Sequence, residues 1–167
     1  MKRIEPPDVH HLTAAFGWLE LGDSAEALAE LDRIGTVHQE HPEVLEARWM
    51  IHAERCNWAA ALESARSLTV RLPTRASGWL HLSYALRRVP SGGLEQAWQA
   101  LSAVADQFPK EPIVPYNLAC YTCQLGRMEE ALDWFRRALA IGGKKRIKTM
   151  ALADPDLQPM WETIRQM

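Results

Sequence analysis

Residues 116–139 read YNLACYTCQLGRMEEALDWFRRAL. Apolar and small residues recur at helical spacing on both sides of Leu125-Gly126-Arg127, so the stretch is two helices joined by a turn. Ala131, just inside the second helix, is the anchor of the pair. A small side chain there lets the two helices approach closely, where a bulky one would push them apart. The arrangement recurs upstream: Leu21-Gly22-Asp23 precedes Ala27, Cys56-Asn57-Trp58 precedes Ala61, and Ser91-Gly92-Gly93 precedes Ala97. The four alanines are spaced by 34, 36 and 34 residues (61 − 27, 97 − 61, 131 − 97).

At Tyr116-Asn117-Leu118-Ala119, Gly126, Glu130-Ala131, Phe135 and Ala138-Leu139 the quoted stretch resembles the tetratricopeptide consensus, whose period is also about 34 residues. The other units resemble it less fully. Trp79, Leu82, Ala97, Leu101 and Pro109 carry the third, Leu45, Ala61, Ala65 and Pro73 the second, and Ala14, Ala15, Gly22, Ala27 and Leu31 the first. The second unit departs at Arg48 and Trp49, where a leucine and a small residue are usual, and the third has two extra residues in its turn. The resemblance covers roughly residues 9–142. It implies an all-α fold, a right-handed superhelical stack of helix-turn-helix hairpins, with repeats at about 9–42, 43–74, 75–110 and 111–143. The chain 1–167 is then one domain closed by a capping segment, 144–167. Membership by itself implies protein–protein contact and little more.

Composition fits one cooperative fold. A chain of 167 residues buries roughly 70% of its unfolded surface. A net charge of −2 supplies no positive field to hold nucleic acid or an anionic membrane. The amino terminus, Met1-Lys2-Arg3-Ile4-Glu5-Pro6-Pro7, lacks the apolar stretch of a signal peptide, and no apolar run approaches the ~20 residues of a membrane span. Three cysteines, an odd number without framework spacing, agree with a reducing compartment. The expected location is the cytoplasm.

Proline and glycine punctuation predicts helices at about 9–21, 25–35, 43–54, 57–71, 75–88, 94–107, 112–125 and 128–141. After Gly142-Gly143 the basic run Lys144-Lys145-Arg146-Ile147-Lys148 reads as a short solvated helix. Met150, Leu152, Leu157, Met160, Trp161 and Ile164 then supply an apolar face, and Asp154, Asp156 and Pro159 suit the start of a capping helix near 156–166.

In the tetratricopeptide frame the first helix of each hairpin lines the concave face. Its groove-facing residues are Leu12, Phe16, Leu19 and Glu20; then Glu46, Met50 and Glu54; then His81, Tyr84, Arg87 and Arg88; then Tyr116, Asn117, Cys120, Cys123 and Gln124. Carboxylates sit at one end and arginines at the centre, which suits a peptide or partner helix with an apolar anchor and one acidic residue. The carboxylate clamp of some family members, which holds chaperone carboxyl termini with lysines, asparagines and an arginine, is not matched. Leu12 and Phe16 stand where a lysine and an asparagine are required; only Asn117 and Arg87 fit.

Cys120-Tyr121-Thr122-Cys123 is a C-x-x-C that falls in mid-helix rather than at a helix start, so it reads as groove lining and not as a redox pair or half a zinc site. His10-His11 and His38-Gln39-Glu40-His41 read as surface histidines. Glu129 and Glu130 read as a solvent-facing turn. Trp18, Trp49, Trp98 and Trp134 read as core or inter-repeat residues, Trp79 and Trp161 as packing positions, and Trp58 as the one to check for exposure. No nucleophile elbow, phosphate loop, H-E-x-x-H or nucleotide fingerprint is present, so no catalytic, metal or cofactor site is expected. The leading function is a bacterial-type protein-interaction scaffold, an adaptor or co-chaperone binding a partner's peptide or helix in the groove. The alternatives are an obligate subunit of a larger or self-assembled complex and a small thiol- or metal-dependent enzyme resting on Cys120 and Cys123.

Overall fold

Short polar side chains start the helices. The Asp23 carboxylate accepts from the amides of Ala25 and Glu26, opening α2 (Ser24–Asp32), and the Asn57 side-chain carbonyl accepts from the Ala60 amide, opening α4 (Trp58–Arg71). His41 does the same for Glu43 at the start of α3 (Pro42–Glu54), where Pro42 occupies a position whose missing N–H costs nothing. The structure, a computed structural model, describes residues 3–167; Met1 and Lys2, with which the amino-terminal reading began, lie outside the described residues.

Two compact units result, the first ending at Ala85 and the second running Leu86–Met167. The first holds α1 (Asp8–Glu20), α2, α3, α4 and all but the last residue of α5 (Ala76–Leu86). Helix α1 pairs with α2, and α3 with α4. Leu12, Ala15, Leu31, Val44, Ala47 and Ile51 form its core with Ile4 beneath the entry to α1. Leu12, placed in the groove by the repeat frame, is 5% exposed and belongs to this core.

The second unit contains α6 (Leu94–Ser102), α7 (Ile113–Gln124), α8 (Met128–Gly142), α9 (Lys144–Leu152) and α10 (Trp161–Gln166), with short 3-10 turns at Ala105–Gln107 and Pro155–Met160. The expected helix 94–107 therefore stops early and tightens into a 3-10 turn. The expected capping helix is likewise half 3-10, Pro155–Met160, before α10 begins; Asp154 starts it by accepting from the Asp156 amide. The basic run forms α9, with Lys144, Lys145 and Arg146 exposed and Ile147 fully buried. Among the described residues there is no strand, and no helix is long and apolar enough to cross a membrane.

All four anchor alanines, Ala27, Ala61, Ala97 and Ala131, have no exposed surface. The turns before them share a second register. Gly22 and Gly126 take φ of +79° and +76°, and Cys56, 34 residues after Gly22 (56 − 22), takes +54°. In each turn the next amide closes back five residues: Asp23 N to Trp18 O at 2.9 Å, Asn57 N to His52 O at 2.8 Å and Arg127 N to Thr122 O at 2.9 Å. This is the left-handed helix stop that glycine adopts without penalty and a side chain does not. Cys56→Gly is accordingly expected to stabilise the protein by about 0.5–1 kcal/mol in urea melts, and Gly126→Ala to destabilise it by about 1 kcal/mol. A neutral result for both would remove the turn from the determinants of the fold.

Candidate protein-interaction surface

The first helices of the hairpins, α1, α3, α5 and α7, carry the residues that the repeat frame assigns to a groove. In the N-terminal unit, α1 and α3 border an open groove of about 460 Å³ lined by Phe16, Leu19, Glu20, Trp49, Met50 and Glu54. Phe16 is 36% and Met50 45% exposed, unusual for large apolar side chains on helices that also build the core. Leu19 is half-buried and packs on the core beneath. Glu46 lies apart from this groove, engaged by the Ser77 hydroxyl at 3.1 Å and Arg75 at 3.6 Å.

One wall is aromatic. Trp49 stacks on His81 of α5 with centroids 3.7 Å apart, and Tyr84 meets Trp49 edge-on at 6.0 Å and Trp58 at 5.8 Å. Trp49 thus joins the A-helix face rather than only the core, and Trp58 is half-buried beside Tyr84. The Trp49 Nε1 is buried with no acceptor among the described residues, an omission that costs about 1–3 kcal/mol and that stacking must offset. Burial holds the His81 imidazole down to about 4, so it is neutral at pH 7 and stacks as an uncharged ring.

In the C-terminal unit the A-helix face is covered by the chain itself. The Arg87 guanidinium forms a bidentate pair with Asp156, with Nη2 to Oδ1 at 2.7 Å. The Tyr116 hydroxyl donates to Asp154 at 2.8 Å, the Cys120 thiol points at the same carboxylate at 3.6 Å, and the Gln124 amide donates to the Asp156 carbonyl at 2.8 Å. Leu157 and Met160 bury beside them. The acidic residue that Arg87 was expected to meet in a partner is met within the chain. Asn117 is half-buried on α7, and Arg88, also half-buried, is engaged by other groups of the protein.

The Arg87 guanidinium hydrogen-bonded to Asp156 holds that carboxyl below its ordinary value. Burial, then the charges of Asp154 and Asp156, pushes the Cys120 thiol up, and burial does the same to Cys123 and to the Tyr116 hydroxyl. Both thiols stay protonated, the reverse of a redox C-x-x-C. Ligand atoms of Cys120, Asp154 and Asp156 lie within 4.8 Å of one another, two carboxylates that the sequence spacing did not bring to the cysteine. Arg87 and Tyr116 already occupy those carboxylates, and a protonated thiol is a poor ligand, so the donor set suits an internal pair better than a cation.

Other assignments change with the structure. Trp18 is 36% exposed and not core. Glu130 is half-buried, accepting from the indoles of Trp98 at 3.0 Å and Trp134 at 3.1 Å. His11 and His38 are not loose surface groups: they meet Glu30 and Asp8, each at 2.7 Å, and tie α1 to the segments that follow it.

A stack of paired helices with buried alanine anchors and left-handed turns at this period is a tetratricopeptide-like fold, the architecture of protein-interaction scaffolds. Two solved structures are similar to it. A MamA RS-1 ArsTM double mutant superposes with a TM-score of 0.71 at 15% identity, over 85% of this chain and 79% of that one. TTC0263, a thermophilic TPR protein in Thermus thermophilus, superposes with a TM-score of 0.68 at 20% identity, over 96% of this chain and 100% of that one. No family model matches the chain, and no curated protein does.

The Arg87–Asp156 pair is expected to contribute about 1–3 kcal/mol in a site that is largely out of water. Arg87→Ala and Asp156→Ala should each lower stability by that order, and the double variant little more than either, as a double-mutant cycle in urea would show. Additive losses would mean that the two side chains act separately.

His81 gives a pH signature. Its folded value of about 4 lies below the ordinary 6.5, so the unfolded chain takes up the proton first on acidification. Stability present above pH 6.5 is lost as pH falls toward about 4, by on the order of 2 kcal/mol. His81→Phe, which keeps a stacking ring and removes the titration, should flatten that part of the stability–pH curve; an unchanged slope would exclude His81 as its source.

Proposed function

We propose that the chain is a non-catalytic adaptor or co-chaperone that holds a segment of another protein on the A-helix face of its N-terminal unit, and that it acts in the cytoplasm. The observation that carries this reading is a contrast. Phe16, Trp49 and Met50 form an open apolar groove, whereas the equivalent face around Arg87, Tyr116 and Cys120 is filled by Asp154–Met160 of the same chain. Apolar surface left open on an otherwise packed fold is surface available for burial against a partner. The fold of the two similar structures supports a scaffold in general. Three free cysteines suit a reducing compartment.

The test compares wild type with Phe16→Asp/Met50→Asp in affinity capture from the native cell. Both side chains are exposed, so the variant keeps its helical circular dichroism. Partners that use the groove should fall at least about tenfold in recovery, equivalent to about 1.4 kcal/mol. Identical recoveries would move binding to another face and favour the assembly-subunit reading.

A further inference from the structure

The groove of the N-terminal unit repeats one arrangement twice. Phe16 and Met50 hold the same register position, 34 residues apart (50 − 16), and Glu20 and Glu54 follow each by four residues, again 34 apart (54 − 20). Four residues is about one helical turn, so each exposed apolar side chain has a carboxylate next to it, on the same face and toward the same end. Glu20 is the last residue of α1 and Glu54 the last of α3. A helix carboxyl end already carries partial negative charge on its unpaired carbonyls, and a basic side chain normally offsets it. Here the carboxylates add to it. The last turn of α1 has no basic residue, and that of α3 has only His52, which burial and then Arg48 and Arg55 hold below its ordinary value.

Neither carboxylate is used within the protein. Glu20 and Glu54 are exposed and have no ion-pair or hydrogen-bond partner among the described residues, in contrast to Glu46, which Ser77 and Arg75 engage. Arg55 follows Glu54 directly without pairing to it. The register also ends at the second hairpin: the equivalent positions in the third are Tyr84 (50 + 34) and Arg88 (54 + 34), an aromatic followed by a cation. The negative edge is therefore confined to the two helices that border the groove.

We infer that this groove takes a basic segment of a partner protein. A large apolar side chain of the segment seats against Phe16, Trp49 and Met50, and a Lys or Arg about one turn along it meets Glu20 and Glu54 at the two helix ends. The inference rests on the groove reading above and supplies the chemistry of its ligand. A second copy of this chain does not fit the description: its basic run Lys144–Lys148 has one large apolar residue, Ile147, and that side chain is fully buried. Charge pairs at the mouth of an apolar groove set partner choice and encounter rate more than raw affinity, and they weaken with salt.

A displayed library of random peptides of roughly 16 residues, selected on the full chain and counter-selected on Phe16→Ser/Met50→Ser, tests this. The expected survivors carry Lys or Arg three or four positions from Leu, Phe or Trp. Their affinity for Glu20→Gln/Glu54→Gln should be at least about tenfold weaker than for wild type, and the difference should shrink as salt rises from roughly 50 to 300 mM. The Gln variant should melt with wild type, because both carboxylates are exposed and unpaired. Survivors without basic bias, or with equal affinity for the Gln variant, overturn the charge inference and leave the groove reading standing. A selection that yields no peptide dependent on Phe16 and Met50 overturns both.

Discussion

The close approach of two helices over an alanine without exposed surface is what the other features depend on. At Ala27, Ala61, Ala97 and Ala131 the side chain at the seam is a single buried methyl group. That proximity buries the interior side of each first helix and fixes which side is left over. Leu12 and Ala15 on α1 and Ala47 and Ile51 on α3 face the core; Phe16 and Met50, the sequence neighbours of Ala15 and Ile51, do not. An exposed apolar side chain one position from a buried one is therefore a consequence of helical geometry rather than a packing error.

The C-terminal unit resolves its leftover face differently. Asp154–Met160 lies on α7, and its two aspartates satisfy Arg87, Tyr116 and Gln124. Arg87 lies near Tyr121 as well, with its guanidinium carbon 5.9 Å from the ring centroid. A buried arginine left without a carboxylate would carry a large desolvation cost, so this internal pairing is what allows a cation on a mostly covered face. The same carboxylates, added to burial, keep the cysteines of the C-x-x-C protonated. A motif that invites a redox or metal reading is in this setting a pair of small packed side chains.

Much of the architecture was legible from the chain. The 34-residue recurrence of alanine and the turns before it located the hairpins, and capping residues such as Asp23 and Asn57 located the helix starts. The helix ends were less legible. Helix α6 stops at Ser102, and the segment after Asp154 begins as a 3-10 turn, because terminal hydrogen bonding depends on what each end packs against and not on propensity alone. Trp18, Trp49 and Glu130 were misplaced for a related reason: helical spacing orders residues around a helix but does not say how wide the buried stripe is.

The sequence by itself determined the repeat, the all-helical class and the candidate face, since each follows from local spacing along one helix. Phe16, Glu20, Met50 and Glu54 share a register that can be counted without coordinates. Only the tertiary structure decided which parts of that face are open. Asp154 and Asp156 stand 34 and 36 residues beyond Cys120 (154 − 120, 156 − 120), and nothing in the local pattern of α7 points to them. Their meeting with Arg87 and Tyr116 depends on how the chain turns back after α9, a long-range event set by the burial of Ile147, Leu157 and Ile164. Local spacing constrains a residue's neighbours on its own helix, whereas occupancy of a surface is settled by segments distant in sequence that bury their apolar side chains against it.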